Sequence, residues 1–155
     1  MSSRLIGGLA LAATFAAGLV VAGCGGEDHL TKAAFIKQGD VICNSGDMQI
    51  NKEARRYFAG LGLKKGQQPN PSQIATFARQ TLVPGTQKQI DQLRDLNPPK
   101  SDQDKVNAIF DAAQQGIDEI KRDPSILTGD EEPAGFKKAD ALAKDYGFKV
   151  CGQRG

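Results

Sequence analysis

The amino-acid sequence predicts an all-α protein, a four-helix bundle with a kinked second helix that is stapled by one disulfide. After residue 30, apolar residues recur at steps of three and four over four separate stretches, which is the period of helices that bury one face. No stretch alternates apolar and polar residues as a half-buried strand does. Short or medium loops join the four stretches, and this arrangement favours a bundle.

The first helix is predicted to run from an N-cap at Thr31 to about Phe58. Gly39 and Gly46 weaken this prediction, since each costs about 1 kcal/mol relative to alanine inside a helix. A break or kink within residues 44–47 is the alternative. In a continuous helix the two glycines would let a neighbouring helix approach closely. The positions expected to face inward are Phe35, Gly39, Ile42, Gly46, Ile50, Ala54 and Tyr57.

The second helix is predicted to begin at Asn70 or Ser72, with the intervening proline in its first turn. Pro84 falls inside the apolar pattern, where a proline removes a backbone hydrogen bond and clashes with the preceding turn. We therefore expect a kink or short break at residues 83–85, and the helix ends at residues 97–99. The inward positions are Ile74, Phe77, Ala78 and Leu82 before the interruption, and Gln87, Ile90, Leu93 and Leu96 after it.

The third helix has the clearest apolar stripe. Ser101 and Asp104 predict a start of the capping-box type, and the stripe ends at residues 122–124. Such a stripe is more often core than a groove for a partner. Its members are Val106, Ile109, Phe110, Ala113, Ile117 and Ile120.

The fourth helix is predicted to begin near Pro133, after acidic residues 130–132 that suit the positive end of the helix dipole. Gly147 is expected to end it in the left-handed conformation, with Phe148 folding back on the last turn. The inward positions are Phe136, Ala139, Leu142, Ala143 and Tyr146.

The N-terminal segment resembles a bacterial lipoprotein signal with its lipobox. Arg4 precedes a long uncharged run, and the small residues Ala22 and Gly23 stand directly before Cys24. The run is slightly short for a membrane span and is diluted by glycine and alanine. The resemblance implies cleavage after Gly23 and a lipid on Cys24, where two or more acyl chains such as palmitate give stable anchoring. The alternatives are an uncleaved signal anchor and an ordinary secreted form.

The chain then divides into a signal peptide at 1–23, a lipidated flexible tether at 24–30 and a helical bundle at 31–155. Residues 25–30 are expected to be mobile because they have nothing to pack against. At about 3.5 Å per residue, the tether would keep the bundle within about 20 Å of the membrane.

Cysteine usage predicts one disulfide. If Cys24 carries the lipid, Cys43 and Cys151 remain as an even pair in an oxidising compartment. We predict that they join, closing a loop that is worth about 4 to 5 kcal/mol in the chain-entropy model. Two unrelated buried thiols are the alternative, and the absence of a Cys-x-x-Cys motif argues against a redox-active pair.

Charge argues against a nucleic-acid partner. The whole chain has 20 basic and 18 acidic residues, whereas a phosphate-binding domain needs a strong basic excess on one face. The pairs Arg55-Arg56 and Lys64-Lys65 are interpreted as a solvated helix face and loop, with contact to acidic lipid headgroups as the alternative.

No catalytic, cofactor-binding or metal-binding residue is expected, and the chain is not predicted to be an enzyme. His29 is the single histidine, and it stands in the tether without the partners of a closed metal site. Asp111 and Asp118 share a face of the third helix that is expected to be wet, which disfavours glycosidase chemistry. Residues 123–132 place apolar side chains where a calcium loop needs oxygen ligands. Hydrolase and phosphate-loop motifs are missing from the sequence.

Three further features look like small helical lipoproteins of high-GC Gram-positive bacteria: Val-Ile-Cys at 41–43, Leu-Asn-Pro-Pro at 96–99, and Tyr-Gly-Phe followed by Cys-Gly within 146–152. This resemblance implies a protein anchored to the extracytoplasmic face of the cell membrane, and it carries no activity with it. The function expected is a non-enzymatic helical module that binds a partner protein or an envelope component. The alternative is a carrier of a small apolar ligand, held in a cavity that the first-helix glycines and the Pro84 kink would open.

Overall fold

A computed structural model describes residues 29–129 and 132–153, and all regular structure in these ranges is helical. The predicted signal peptide, Cys24 and most of the tether lie outside the described residues. The four predicted helices are present. Their segments are α1 (Lys32–Gly60), α2 (Pro71–Phe77), a π-helical turn (Ala78–Leu82), α3 (Val83–Arg94), α4 (Gln103–Arg122) and α5 (Ala134–Tyr146).

The helices alternate in direction. Leu30 N–H donates to the Asn97 carbonyl at 2.8 Å, which places the start of α1 beside the end of α3. The Lys32 Nζ lies 4.3 Å from the centre of the Tyr146 ring, so α5 ends at the same side. At the far side, the Tyr57 hydroxyl donates to the Gln73 carbonyl at 2.8 Å. The packing is closest between α4 and α5, while α3 lies between α1 and α4.

Helix α1 is continuous through Gly46, so the alternative of a break at residues 44–47 is wrong. Thr31 caps it as predicted, its hydroxyl accepting the Ala34 N–H at 3.2 Å. Phe35 and Gly39 are buried as expected, but Cys43 is fully buried where the pattern favoured Ile42, which is half-buried. The buried face is therefore turned by about one residue, towards the sulfur that needs a partner.

The interruption of the second helix is a π-helical turn. Asn70 and Gln73 cap the start of α2 reciprocally, which decides between the two predicted starts. The Val83 N–H donates to the Ala78 carbonyl, five residues back, directly before Pro84. The wider turn accommodates the proline ring, which would clash with the preceding turn of a regular α-helix. The chain therefore continues as a helix where a break was one expectation.

The predicted inward face of α3 is confirmed at Ile90 and Leu93, which are buried. Gln87 was predicted to face inward and is only half-buried, whereas Gln89 is buried with 2% of its surface exposed. Gln89 is buried because it lies over the bare backbone of Gly46, where a Cβ would stand 2.1 Å from its Nε2.

Helix α4 buries the predicted stripe, but its predicted capping box is wrong. The six apolar positions expected inside are all buried. A 3₁₀ turn (Lys100–Asp102) precedes the helix, and no side chain of the described residues caps its first turn. The Asp102 carboxylate accepts the Tyr146 hydroxyl at 3.0 Å instead, which ties the start of α4 to the end of α5.

The end of α5 has the predicted geometry. Gly147 adopts φ 116°, and the N–H groups of Gly147 and Phe148 donate to the carbonyls of Lys144 and Ala143 at 3.0 Å each. This is the Schellman arrangement, and it folds Phe148 back onto the core. The ring centres of Phe35 and Tyr146 lie 5.8 and 5.6 Å from that of Phe148.

The predicted disulfide is present. Cys43 and Cys151 are bonded, with Cα atoms 5.3 Å apart and a sequence separation of 108. The Asp40 carboxylate accepts the N–H groups of Lys149, Val150 and Cys151 at 3.1, 2.8 and 3.3 Å. The C-terminal tail is thus held on α1 by a covalent bond and a cluster of hydrogen bonds.

The expectation that His29 and Leu30 have nothing to pack against is wrong. The side chain of Leu30 packs against the core, and the His29 Nδ1 lies 2.7 Å from the Pro98 carbonyl oxygen. The connection between α3 and α4 leaves the carbonyls of Asn97 and Pro98 free of helical partners, so it offers acceptors to the incoming chain. The packed part of the protein therefore begins before residue 31. Across the described ranges, no helix is both long enough and apolar enough to cross a membrane.

Candidate ligand groove between α1 and α3

A groove with a volume of about 410 Å³ lies between α1 and α3, at the level of the π turn. We call it the glutamine groove. The sequence predicted a cavity at this place, opened by the glycines of the first helix and by the kink at Pro84. Its lining residues are Ser45, Gly46, Gln49, Ile50 and Glu53 of α1, Gln80 and Thr81 of the π turn, and Pro84, Gly85, Lys88, Gln89 and Gln92 of α3.

Two glycines bring the walls of the groove together. A Cβ atom at Gly46 would lie 2.1 Å from the Gln89 Nε2, and one at Gly85 would lie 2.7 Å from the Ile50 Cγ1. Each helix therefore offers bare backbone where the other places a side chain. This confirms the prediction that the α1 glycines permit a close helix approach.

Gln89 is the unusual residue of this groove. Its Nε2 donates to the Asp47 Oδ1 at 3.1 Å, and its Oε1 is buried without a hydrogen-bond partner among the described residues. Leaving a buried polar atom unsatisfied costs about 1–3 kcal/mol. Native proteins contain few such atoms, and an ordered water or another bound group commonly satisfies them. Less than 1 Å² of this oxygen is accessible, so a donor from a bound molecule would satisfy it only if the Gln89 side chain turned it towards the groove.

The rest of the lining is rich in neutral hydrogen-bonding groups. The exposed amides of Gln49, Gln80 and Gln92 each offer both a donor and an acceptor. Ser45 and Thr81 add hydroxyls. A surface of this kind suits a polar ligand that has both donors and acceptors.

The charged residues of the lining are Glu53 and Lys88. Because Gly46 faces Gln89 while Ile50 faces Gly85, the two helices run antiparallel along the groove. Lys88 therefore lies near the level of Asp47, and Glu53 is displaced from it by about 9 Å along α1. The Glu53 carboxylate is 3.6 Å from the Arg56 guanidinium in an exposed pair, and Lys88 forms no ion pair with a described residue.

Groups for catalysis are not gathered here. His29 lies at the opposite end of α1, and the described residues include no group of His, Cys, Asp and Glu side chains that could hold a metal ion. Asp111 and Asp118 are exposed on α4 and do not line the groove. The groups with clearly shifted pKa values, Asp123 and Tyr146, are also elsewhere.

A second cavity of about 580 Å³ lies on the other side of Asp47, beside a 3₁₀ turn (Pro124–Thr128). The hydrogen bond between Gln89 and Asp47 connects the walls of the two spaces. This cavity is more apolar than the groove. Its apolar lining residues are Ile50, Leu82, Ile120, Ile126, Leu127, Pro133 and Phe136.

Of the site residues predicted from sequence, Cys24 lies outside the described ranges, and Cys43 and Cys151 are bonded to each other. Gln89 was not predicted, because the pattern that resumes after Pro84 was read as Gln87, Ile90, Leu93 and Leu96. Its burial depends on the bare backbone of Gly46 on another helix, which no pattern within α3 indicates. No protein family, no curated protein and no solved structure matches this chain, so its function is inferred from the groove itself.

Proposed function

We propose that this protein is a lipid-anchored lipoprotein of the extracytoplasmic face of the cell membrane. It is a non-enzymatic helical module that binds a partner protein or another component of the envelope in the glutamine groove. The observation that carries this proposal is the buried Gln89 Oε1, which lacks a donor among the described residues.

The disulfide supports the location. Bonds such as Cys43–Cys151 form and persist in oxidising compartments outside the cytoplasm. A lipid on Cys24 accounts for the third cysteine, leaving none without a role. Residues 25–28 join Cys24 to His29, and this connection spans at most about 18 Å when fully extended. The end of the bundle that holds Leu30 and Asn97 would then stay close to the membrane.

The lining supports binding over catalysis. Amides and hydroxyls hold a ligand by hydrogen bonds, and they are poor nucleophiles and poor bases at neutral pH. Glu53 is the single carboxylate of the lining, and it has no histidine beside it.

Site-specific photo-crosslinking in cells tests this function. A photo-reactive residue replaces Gln49 or Gln92, both exposed on the groove, in the full-length lipidated protein. The matched control position is Lys138, which is exposed on α5. We expect one recurrent adduct from the groove positions, absent from the control and lost when Gln89→Met is added. Equal adducts at all three positions, or none at the groove, would refute groove binding. Mass spectrometry of the mature N-terminus, with Cys24→Ser as control, tests the lipid.

A second function, the transport of a small apolar ligand, is favoured by the apolar cavity beside the 3₁₀ turn. Its test is the displacement of a fluorescent fatty acid from the purified protein. Leu127→Gln, which puts an amide into the lining, should weaken binding by about tenfold if the cavity holds the ligand. Binding that does not saturate, or that Leu127→Gln leaves unchanged, would end this alternative.

A further inference from the structure

The lining of the glutamine groove has one carboxylate and one ammonium, and they are offset along its length. Glu53 stands near Gln80 and Thr81 at one end, whereas Lys88 lies about two turns of α1 away. No other charged residue is among the described residues that line the groove. The backbones of the two residues are offset by about 9 Å along the groove, so a ligand that satisfied both would carry a cationic group at one end and an anionic group at the other.

Between these charges the groove presents side-chain amides. An amide side chain has the same donor and acceptor pattern as a peptide group, so the two pair readily. Gln89 adds an acceptor that is already desolvated and lacks a donor. A peptide N–H is such a donor. The partly negative oxygen would repel an isolated anion, and a hydrocarbon would leave the oxygen without a hydrogen-bond donor.

The length of the groove between these two residues limits the size of the ligand. An extended peptide advances about 3.3 Å per residue, so about three residues cover the backbone offset between Glu53 and Lys88. A volume of about 410 Å³ lies within the range of small-molecule sites.

From these observations we propose that the glutamine groove binds a free peptide of about three residues in extended form. Its N-terminal ammonium lies at Glu53 and its C-terminal carboxylate lies at Lys88. On binding, the Gln89 side chain turns its Oε1 towards the groove, where it accepts an internal peptide N–H. This inference rests on the proposed function, since it names the ligand class of the same groove.

Isothermal titration calorimetry with trialanine tests the proposal on the disulfide-bonded protein. We expect saturable binding of the free tripeptide, and binding that is about tenfold weaker for N-acetyl-trialanine and for trialanine amide. Lys88→Gln should abolish the difference between free and amidated tripeptide. Glu53→Gln should abolish the difference between free and acetylated tripeptide. Lys138→Gln is the matched control and should leave every affinity unchanged.

Gln89→Met tests the buried acceptor. It keeps the length of the side chain that lies over Gly46, and it should weaken all three tripeptides by a similar factor of about ten. Thermal unfolding of each variant shows whether it is folded. Lys88→Gln alters an exposed side chain and should leave the fold intact. The comparison of free and amidated tripeptide therefore remains possible even if Gln89→Met fails to fold.

The outcomes distinguish a failure of the peptide assignment from a failure of the proposed function. If trialanine and its capped forms bind equally, or do not bind, the peptide assignment is overturned. If the groove crosslinks still depend on Gln89 in that case, the proposed function survives with another polar ligand. If the crosslinks are absent as well, both fail.

Discussion

Gln89 of α3 lies across the bare backbone of Gly46 in α1, so closely that a Cβ at residue 46 would stand 2.1 Å from the amide nitrogen of Gln89. From this position that nitrogen reaches Asp47. The absence of one side chain therefore allows a polar residue to be buried between two helices.

Gly46→Ala is expected to destabilise the protein. The new methyl group would push Gln89 away from Asp47, and overpacking of this kind costs about 1–3 kcal/mol, more than the helix propensity that alanine adds. Urea unfolding measures the loss. Gly60→Ala is the matched control, because a Cβ there meets no atom within 4 Å. Combining Gly46→Ala with Gln89→Ala should recover part of the loss, and equal effects of the two glycine changes would contradict the packing.

Loss of the disulfide is expected to lower the free energy of unfolding by about 3 to 5 kcal/mol. The bond closes a long loop, since its cysteines have a sequence separation of 108, so it restricts the unfolded chain strongly. The measurement is chemical denaturation of the Cys43→Ser, Cys151→Ser double variant beside the oxidised protein. Reduction of the unaltered protein should give a similar loss. A stability unchanged by either treatment would refute the role assigned to the bond.

Asp40→Ala is expected to release the C-terminal tail without breaking the disulfide. Three backbone N–H groups, those of Lys149, Val150 and Cys151, lose the carboxylate that accepts them. Hydrogen exchange should accelerate at these three amides by at least about tenfold, while the amides of α4 keep their protection. Asp145→Ala, an exposed change on α5, serves as control. Unchanged exchange in the tail would show that the disulfide alone holds it.

Tyr146 is expected to make the protein sensitive to alkali. Burial, with smaller contributions from the hydrogen bond to Asp102 and its charge, raises the pKa of this phenol above its ordinary value of 10.0. The folded state therefore favours the neutral phenol. This contribution to stability is complete below pH 10 and is lost progressively as the pH rises above it, through the folded-state pKa.

Denaturation between pH 9 and pH 12 measures this effect, with Tyr146→Phe as the comparison. The variant should lack this part of the pH dependence, so the difference in unfolding free energy between the two proteins should shrink above pH 10. A difference that stays constant across the range would contradict the assignment.

Local signals account for much of the helical architecture. Thr31, the reciprocal cap of Asn70 and Gln73, and Gly147 each act within a turn or two of chain, so their positions could be predicted from neighbouring residue types. The stripe of α4 was predictable for a similar reason, since its period is unbroken from Val106 to Ile120.

The groove was predictable only in part. Gly39, Gly46 and Pro84 indicated where helices would approach and where the second helix would be interrupted. The form of the interruption depends on whether the chain breaks or widens by one residue at the proline. The burial of Gln89 depends on Gly46 of α1, which lies opposite it, and no pattern within α3 indicates that contact.

The amino-acid order alone was sufficient to predict an all-helical bundle and the termini of most helices, because caps and periodicity are properties of the chain itself. The pairing of Cys43 with Cys151 was predicted only on the expectation that Cys24 carries a lipid, and the folded chain shows the bond. Packing was needed to bury Gln89 over Gly46, to dock the tail on Asp40 and to fix Leu30 against Asn97. These contacts join residues far apart in sequence, and their energies depend on the phase and separation of whole helices, which no local pattern specifies.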